Sequence, residues 1–173
     1  MKKMQFFMLG IITAFGTLFL ELLVFTFFDL KTGSAYFYLN SLTSALIFSV
    51  FLEESVKIIV LYQILKKIIQ EEASPKDIFL SAAITGLGFS LTEIFFNLFN
   101  SSINRYLAWP DILGITIVHT GTLAILGYAL AKKTDLTLPK FLLFFPIVFL
   151  FHFLYNALII YQGHSQFYFL HLK

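Results

Sequence analysis

Hydrophobic residues along this chain are gathered into five long runs, and short polar stretches separate the runs. A transmembrane helix needs about 20 consecutive, mostly apolar residues, and each run is long enough to supply them. Three of the polar stretches contain a proline (Pro75, Pro110 and Pro139), which is typical of loops between helices. The pattern predicts an all-α bundle of about five membrane-spanning helices, at residues 5–28, 42–65, 78–99, 112–131 and 141–162.

The composition favours the same fold class. The 173-residue chain is 58% hydrophobic and 13% charged, whereas a soluble domain is about 45–50% apolar and about 25% charged. Because so little charge cannot cover a water-facing surface, lipid must be the solvent for much of the chain. No polar stretch is long enough to separate two domains, and no clear signal-peptide cleavage site follows the first run. We expect residues 1–173 to form one integral-membrane domain that retains its first helix.

Basic residues are distributed unevenly over the predicted loops. Under the positive-inside rule, the side richer in lysine and arginine faces the cytoplasm. This rule predicts a cytoplasmic N-terminus, an extracytoplasmic C-terminus and a multi-pass protein, most simply in a bacterial cytoplasmic membrane. One side holds Lys2, Lys3, Lys66, Lys67, Lys76, Lys132, Lys133 and Lys140, and the other holds Lys31, Arg105 and Lys173.

Two classes of function are excluded by residue content. Cysteine is absent, so the chain has neither thiol nucleophiles nor thiolate metal sites. The net charge is only +2, and the basic residues lie in short loops without forming one stripe, so nothing indicates a nucleic-acid partner. The expected surroundings are the lipid bilayer and other membrane proteins.

Seven ionisable residues fall inside the predicted helices, where a charge costs about 2.5–3.5 kcal/mol or more. With a rise of 1.5 Å per residue, Glu53, Glu93, His119 and His152 lie about 10–18 Å below the outer ends of four different helices. Polar residues at one level of four helices predict a single site that faces the interior of the bundle. The seven residues are Glu21, Glu53, Glu54, Lys57, Glu93, His119 and His152.

Helical periodicity places several of these residues on common faces. Glu53 and Glu54 lie four and three residues before Lys57, so both carboxylates can pair with it. His152 and Asn156 are also four residues apart and share a face. In the third run, Glu93 belongs to a stripe of small and polar residues that lets another helix approach closely; its members are Ala82, Gly86, Glu93 and Asn97. Glu21 belongs to no motif, and we expect it to serve helix packing.

These residues resemble the motifs of the PrsW family of intramembrane proteases. Residues 53–57 are similar to its E-E-x-x-K motif, and residues 89–93 to its F-x-x-x-E motif on the next helix. His119, and then His152 with Asn156 as H-x-x-x-N, resemble the later histidine motifs. The wider clan includes the CAAX prenyl proteases and the Abi bacteriocin-immunity proteins. Lys57 and Glu93, in place of an arginine and a histidine, favour the PrsW branch.

The resemblance implies a glutamate-type protease that cleaves a single-pass membrane protein, such as an anti-sigma factor, near the extracytoplasmic side. The chain has fewer helices than typical members, so helices that guide the substrate are either missing or supplied by a homo-oligomer. The implied catalytic residues are Glu53, Glu54, Glu93, His119, His152 and Asn156, with Lys57 and Asn97 in support.

Two chemical hypotheses stay open at this point. In the first, which we favour, no cofactor is required: Glu53 deprotonates a water molecule with help from Glu93 or His119, while His152 and Asn156 stabilise the oxyanion. In the second, His119, His152 and either Glu53 or Glu93 bind zinc, although no H-E-x-x-H motif supports it.

Two other kinds of protein are compatible with the same residues. Chains of glutamate and histidine also relay protons in membrane transporters and channels. The third kind is an immunity or scaffold protein whose site is inactive. A proton pathway needs polar residues in a ladder across the bilayer, whereas the predicted site occupies one layer.

Overall fold

The computed structural model describes residues 3–27, 38–69, 74–99, 109–131 and 142–170. All regular structure in these ranges is helical, which confirms the predicted fold class. The five helices are α1 (Lys3–Phe27), α2 (Tyr38–Ile69), α3 (Pro75–Phe99), α4 (Trp109–Ala131) and α5 (Phe145–Leu170). Each predicted run coincides with one helix, and α2 extends beyond its run at both ends.

Three helices begin at or next to a proline. Proline is tolerated in the first turn because its missing N–H would have no partner there. Before α3, the Ser74 hydroxyl accepts a hydrogen bond from the backbone N–H of Asp77 at 3.2 Å and donates one to the Asp77 carboxylate at 2.6 Å. The continuous helix α5 begins at Phe145, next to Pro146, after a helical residue at Leu142 and a turn at Leu143 and Phe144; the predicted start at residue 141 lies four residues earlier.

Among the described residues, three helices are long and apolar enough to cross a membrane: α1 over Lys3–Val24, α3 over Pro75–Phe99 and α4 over Trp109–Ala129. In α5 the described apolar part is shorter, at Phe145–Ile159. Many large apolar side chains on these helices are exposed, including Phe19, Leu91 and Ile117. Such surfaces are suited to lipid, and they agree with a location in a membrane.

The central helix of the packing is α3, which packs extensively against α1 and α4. A Cβ added to Gly86 would lie 2.6 Å from the backbone oxygen of His119, so α3 and α4 are in backbone contact there. A Cβ added to Gly10 of α1 would lie 2.8 Å from the backbone nitrogen of Phe89. These close approaches fix α1 and α4 on either side of the α3 segment that carries Glu93.

The apolar core occupies one end of the bundle. It contains residues from the starts of α1, α3 and α5 and from the later parts of α2 and α4, including Phe6, Leu61, Ile78, Leu126 and Val148. The N-terminal end of α1 therefore lies at the end of the bundle that holds the apolar core. The ionisable residues lie farther along, where all five helices bring a polar side chain inward.

Candidate functional site

Lys57 lies at the centre of the polar cluster and is fully buried. Its Nζ is 2.7 Å from Oε1 of Glu54, 3.7 Å from Oε2 of Glu53 and 2.7 Å from Nδ1 of His119. The ammonium also lies 4.4 Å from the centroid of the Phe89 ring, within the range of a cation–π contact. One lysine thus links α2, α3 and α4.

The contacts of His119 determine where its ring carries a proton. A lysine ammonium has donors only, so Nδ1 of His119 must accept from Lys57. Nε2 then carries the hydrogen and donates it to Oε2 of Glu93 on α3. The His119 ring also packs against Phe89, with centroids 4.7 Å apart. His119 is therefore held as a neutral imidazole between a cation and a carboxylate.

His152 has the opposite arrangement. Its Nδ1 lies 2.7 Å from Oε1 of Glu54 and donates to that carboxylate. Its Nε2 lies 3.2 Å from Nδ2 of Asn156, one turn later on α5, and accepts from that amide. The two histidine rings are perpendicular, with centroids 4.9 Å apart. Glu54 therefore accepts hydrogen bonds from both Lys57 and His152 and fixes the orientation of their side chains.

A small cavity adjoins this network between α1, α2 and α3. Its volume is about 20 Å³, which is enough for one water molecule. Oε2 of Glu53 is buried, has no hydrogen-bond partner in the described part of the chain, and lies 3.8 Å from Nε2 of His152. Carboxylates from three helices meet at this cavity, whose lining is Ala14, Thr17, Leu18, Glu21, Glu53, Phe89 and Glu93.

The structure brings together seven of the eight site residues named from the sequence. They form one connected set of contacts that runs through Glu93, His119, Lys57, Glu53, Glu54, His152 and Asn156. The eighth, Asn97, lies one turn beyond Glu93 on α3, and no hydrogen bond within the described ranges joins it to this set. Its supporting role stays a prediction.

Glu21 is the residue that sequence reasoning set aside. It lines the cavity with Glu53 and Glu93, and its carboxylate accepts a hydrogen bond from the hydroxyl of Ser49 on α2. A signal was available in the sequence, because Gly10, Ala14, Thr17 and Glu21 recur with helical spacing on one face of α1. The stripe on α3 that contains Glu93 has the same pattern, in which small residues at helical spacing precede a glutamate.

Three side chains of the cluster are of the types that bind metal ions and lie close together. Glu53, His119 and His152 each offer one ligand atom, and the three atoms lie within 4.8 Å of one another. Zinc is commonly bound by such a set. A ligating histidine usually donates its other N–H to a carboxylate, carbonyl or water, as His152 does to Glu54.

The surroundings of His119 do not suit a metal ligand. A metal on Nε2 would require a hydrogen on Nδ1, but Nδ1 faces the Lys57 ammonium at 2.7 Å and must accept from it. Nε2 is already directed at Glu93. As arranged, these residues do not fit zinc, because both ring nitrogens of His119 already have a partner: Nδ1 contacts the Lys57 ammonium and Nε2 contacts Glu93.

Comparisons with models of protein families, with curated proteins and with solved structures find no match for this chain.

Proposed function

We propose that this protein is an intramembrane endopeptidase that hydrolyses a membrane-tethered protein with a water molecule activated by Glu53. The observation that carries the proposal is the Glu53 carboxylate, which lines a cavity large enough for one water molecule and whose Oε2 has no hydrogen-bond partner within the described ranges. Two imidazoles, a second carboxylate and a carboxamide lie around it, inside an otherwise apolar bundle. The motif order along the chain, which resembles that of the PrsW proteases, supports the same conclusion.

The chemistry follows from where protons can go. Glu53 removes a proton from the water, whose oxygen attacks the carbonyl carbon of the peptide bond. The resulting oxyanion needs a hydrogen-bond donor. In the observed arrangement Nε2 of His152 accepts from Asn156, so the second N–H of the Asn156 amide is the available donor. When the C–N bond breaks, Glu53 passes its proton to the leaving nitrogen.

Lys57, Glu54 and the His119–Glu93 pair prepare the site for this step. Lys57 compensates the buried charge of Glu54 and lies close enough to Glu53 to stabilise its carboxylate. Glu54 holds His152, and His119 holds Glu93 at the edge of the cavity. The Glu93 side chain is 28% exposed, whereas those of His119, Lys57 and His152 are buried, so substrate would approach from the side of Glu93.

A proton channel or transporter is the rival function, and the hydrogen bonds of four buried threonines argue against it. A proton pathway needs polar groups that continue from the cluster toward both faces of the membrane. Thr13, Thr17, Thr85 and Thr92 instead donate to carbonyl oxygens of their own helices. Within the described ranges the connected polar groups form a compact cluster, which favours a reaction at one place over transport.

We propose five membrane spans, a cytoplasmic N-terminus and an extracytoplasmic C-terminus. The excess of lysine and arginine in the loops on the N-terminal side supports this orientation. The cysteine-free chain allows a direct test with single cysteines at Lys2 and His171. A membrane-impermeant thiol reagent added to intact cells should label only the C-terminal cysteine. Labelling of both positions, or of neither, would contradict an odd number of spans with this orientation.

The activity is tested by co-expression with a doubly tagged single-pass membrane protein. We expect the wild type to produce a fragment, and His152→Ala to produce at least about a hundredfold less, since this change removes the side chain that links Glu54 to Asn156. A transporter would give ion flux without a fragment, and a scaffold would bind the substrate equally well in both forms.

Cleavage by the purified enzyme should survive exhaustive chelation of metal ions. Loss of cleavage that zinc alone restores would overturn the metal-free mechanism.

A further inference from the structure

The first helix also contributes an ionisable residue to the water cavity. Glu21 lines this cavity opposite Glu53 and Glu93. Ser49 donates a hydrogen bond to Oε1 of Glu21, and it lies four residues before Glu53 on the same face of α2. The contact therefore joins α1 to the part of α2 that presents Glu53. A residue that served only lipid-facing packing would have no reason to be held at this point.

The position of Glu21 is fixed by backbone contacts at the other end of α1. Gly10 lies eleven residues, or about three turns, before Glu21 and therefore on the same face. A side chain at Gly10 would collide with the backbone of Thr85 and Phe89 on α3. Ala14 and Thr17, between them on this face, line the cavity. The α1–α3 contact thus aims the Glu21 carboxylate into the space that Glu93 borders from α3.

The charges around the cavity need a shared proton. Glu21, Glu53 and Glu93 border it, and Lys57 is the ammonium that contacts this cluster within the described ranges. Lys57 also compensates Glu54. Closely spaced carboxylates in a poorly solvated space cannot all be ionised. A water molecule between them would accept a hydrogen bond from a protonated carboxyl and donate to an ionised one.

We propose that Glu21 is a positioning residue, which hydrogen-bonds the water molecule in the cavity and orients it toward the Glu53 carboxylate. This inference rests on the proposed function, because the oriented water is the nucleophile of that reaction. Ser49 acts through Glu21 by holding its carboxylate against α2. Glu53 remains the base, and Glu21 determines which lone pair of the water faces the substrate carbonyl.

The kinetic test uses Glu21→Gln, Ser49→Ala and the control Thr26→Val, which removes an exposed hydroxyl from the same helix. We expect Glu21→Gln to lower kcat about tenfold to a hundredfold, as for misplaced reacting groups, with KM unchanged because the substrate does not touch it. Ser49→Ala should lower kcat less, and the control should match the wild type. An unchanged kcat in Glu21→Gln, or a raised KM alone, would overturn the proposal.

A second measurement does not depend on cleavage. Infrared spectra of the purified protein in H₂O and D₂O contain carboxyl bands, and the band lost in Glu53→Gln identifies Glu53. If Glu21 shares the cavity water, Glu21→Gln should shift this band, while Thr26→Val should leave it unchanged. A Glu53 band unaffected by the Glu21 substitution would remove Glu21 from the site. If the wild type cleaves nothing while the band shifts, the proposed protease function fails and the assignment of Glu21 to the cavity stands.

Discussion

Replacing Glu53 by glutamine is expected to abolish cleavage while leaving the fold intact. Glutamine keeps the shape of the side chain but cannot accept the proton of the attacking water. General-base catalysis contributes about a hundredfold to ten-thousandfold in rate, so kcat should fall by at least two orders of magnitude. The loss should appear in kcat, because the base acts in the chemical step. The measurement is the rate of fragment formation from a tagged single-pass substrate in detergent or nanodiscs.

The matched control for this change is Asp77→Asn, which also replaces a carboxylate by an amide. Asp77 is exposed at the start of α3, and asparagine preserves its contact with Ser74. The control should retain wild-type activity and a wild-type melting temperature. Cleavage by Glu53→Gln at more than a tenth of the wild-type rate would show that Glu53 is not the base, provided that the variant elutes and melts like the wild type.

Replacing Lys57 by methionine should have the largest effect on stability. The change leaves Glu54 buried without its cation and removes the donor to Nδ1 of His119. Removing one partner of a buried ion pair costs about 3–5 kcal/mol, because the remaining charge is uncompensated. The free energy of unfolding can be measured by titration with a denaturing detergent. Lys76→Met, at an exposed lysine, is the control and should change stability by about 0.5 kcal/mol or less.

The double variant Lys57→Met with Glu54→Gln separates charge compensation from packing. When both members of a buried pair are replaced by neutral groups of similar size, most of the lost stability is expected to return. Activity should be absent in both variants, because His119 loses its contact with the Lys57 ammonium and, in the double variant, His152 also loses the Glu54 carboxylate. A double variant as unstable as Lys57→Met would mean that Lys57 stabilises the bundle through packing and not through charge.

The amino-acid sequence was sufficient to predict the helices, because their length and apolar character depend on local sequence. Each of the five apolar runs coincides with one helix, and the proline positions explain three of the helix starts. The predicted fifth run starts at residue 141 because residues 141–144 are apolar. In the structure Leu142 is helical, Leu143 and Phe144 form a turn, and the continuous helix α5 begins at Phe145 next to Pro146, as suits the lack of an N–H in proline.

The residues of the site could be predicted because ionisable groups inside a bilayer are costly and therefore carry information. Depth along each helix placed Glu53, Glu93, His119 and His152 at one level, and the structure brings them into contact. Asn97 was added because it lies four residues after Glu93. Sharing a helical face with a site residue does not specify a hydrogen bond, and none joins Asn97 to the cluster within the described ranges.

The sequence by itself determined that this chain is a helical bundle suited to a membrane and that its acids and imidazoles belong together, since both properties follow from hydrophobic periodicity and the cost of buried charge. Only the tertiary structure decided which nitrogen of each histidine accepts and which donates, because that depends on the partner brought from another helix. It also decided that Glu21 borders the cavity. The close backbone contact at Gly10 joins α1 to α3, and such contacts between distant segments follow from packing in three dimensions.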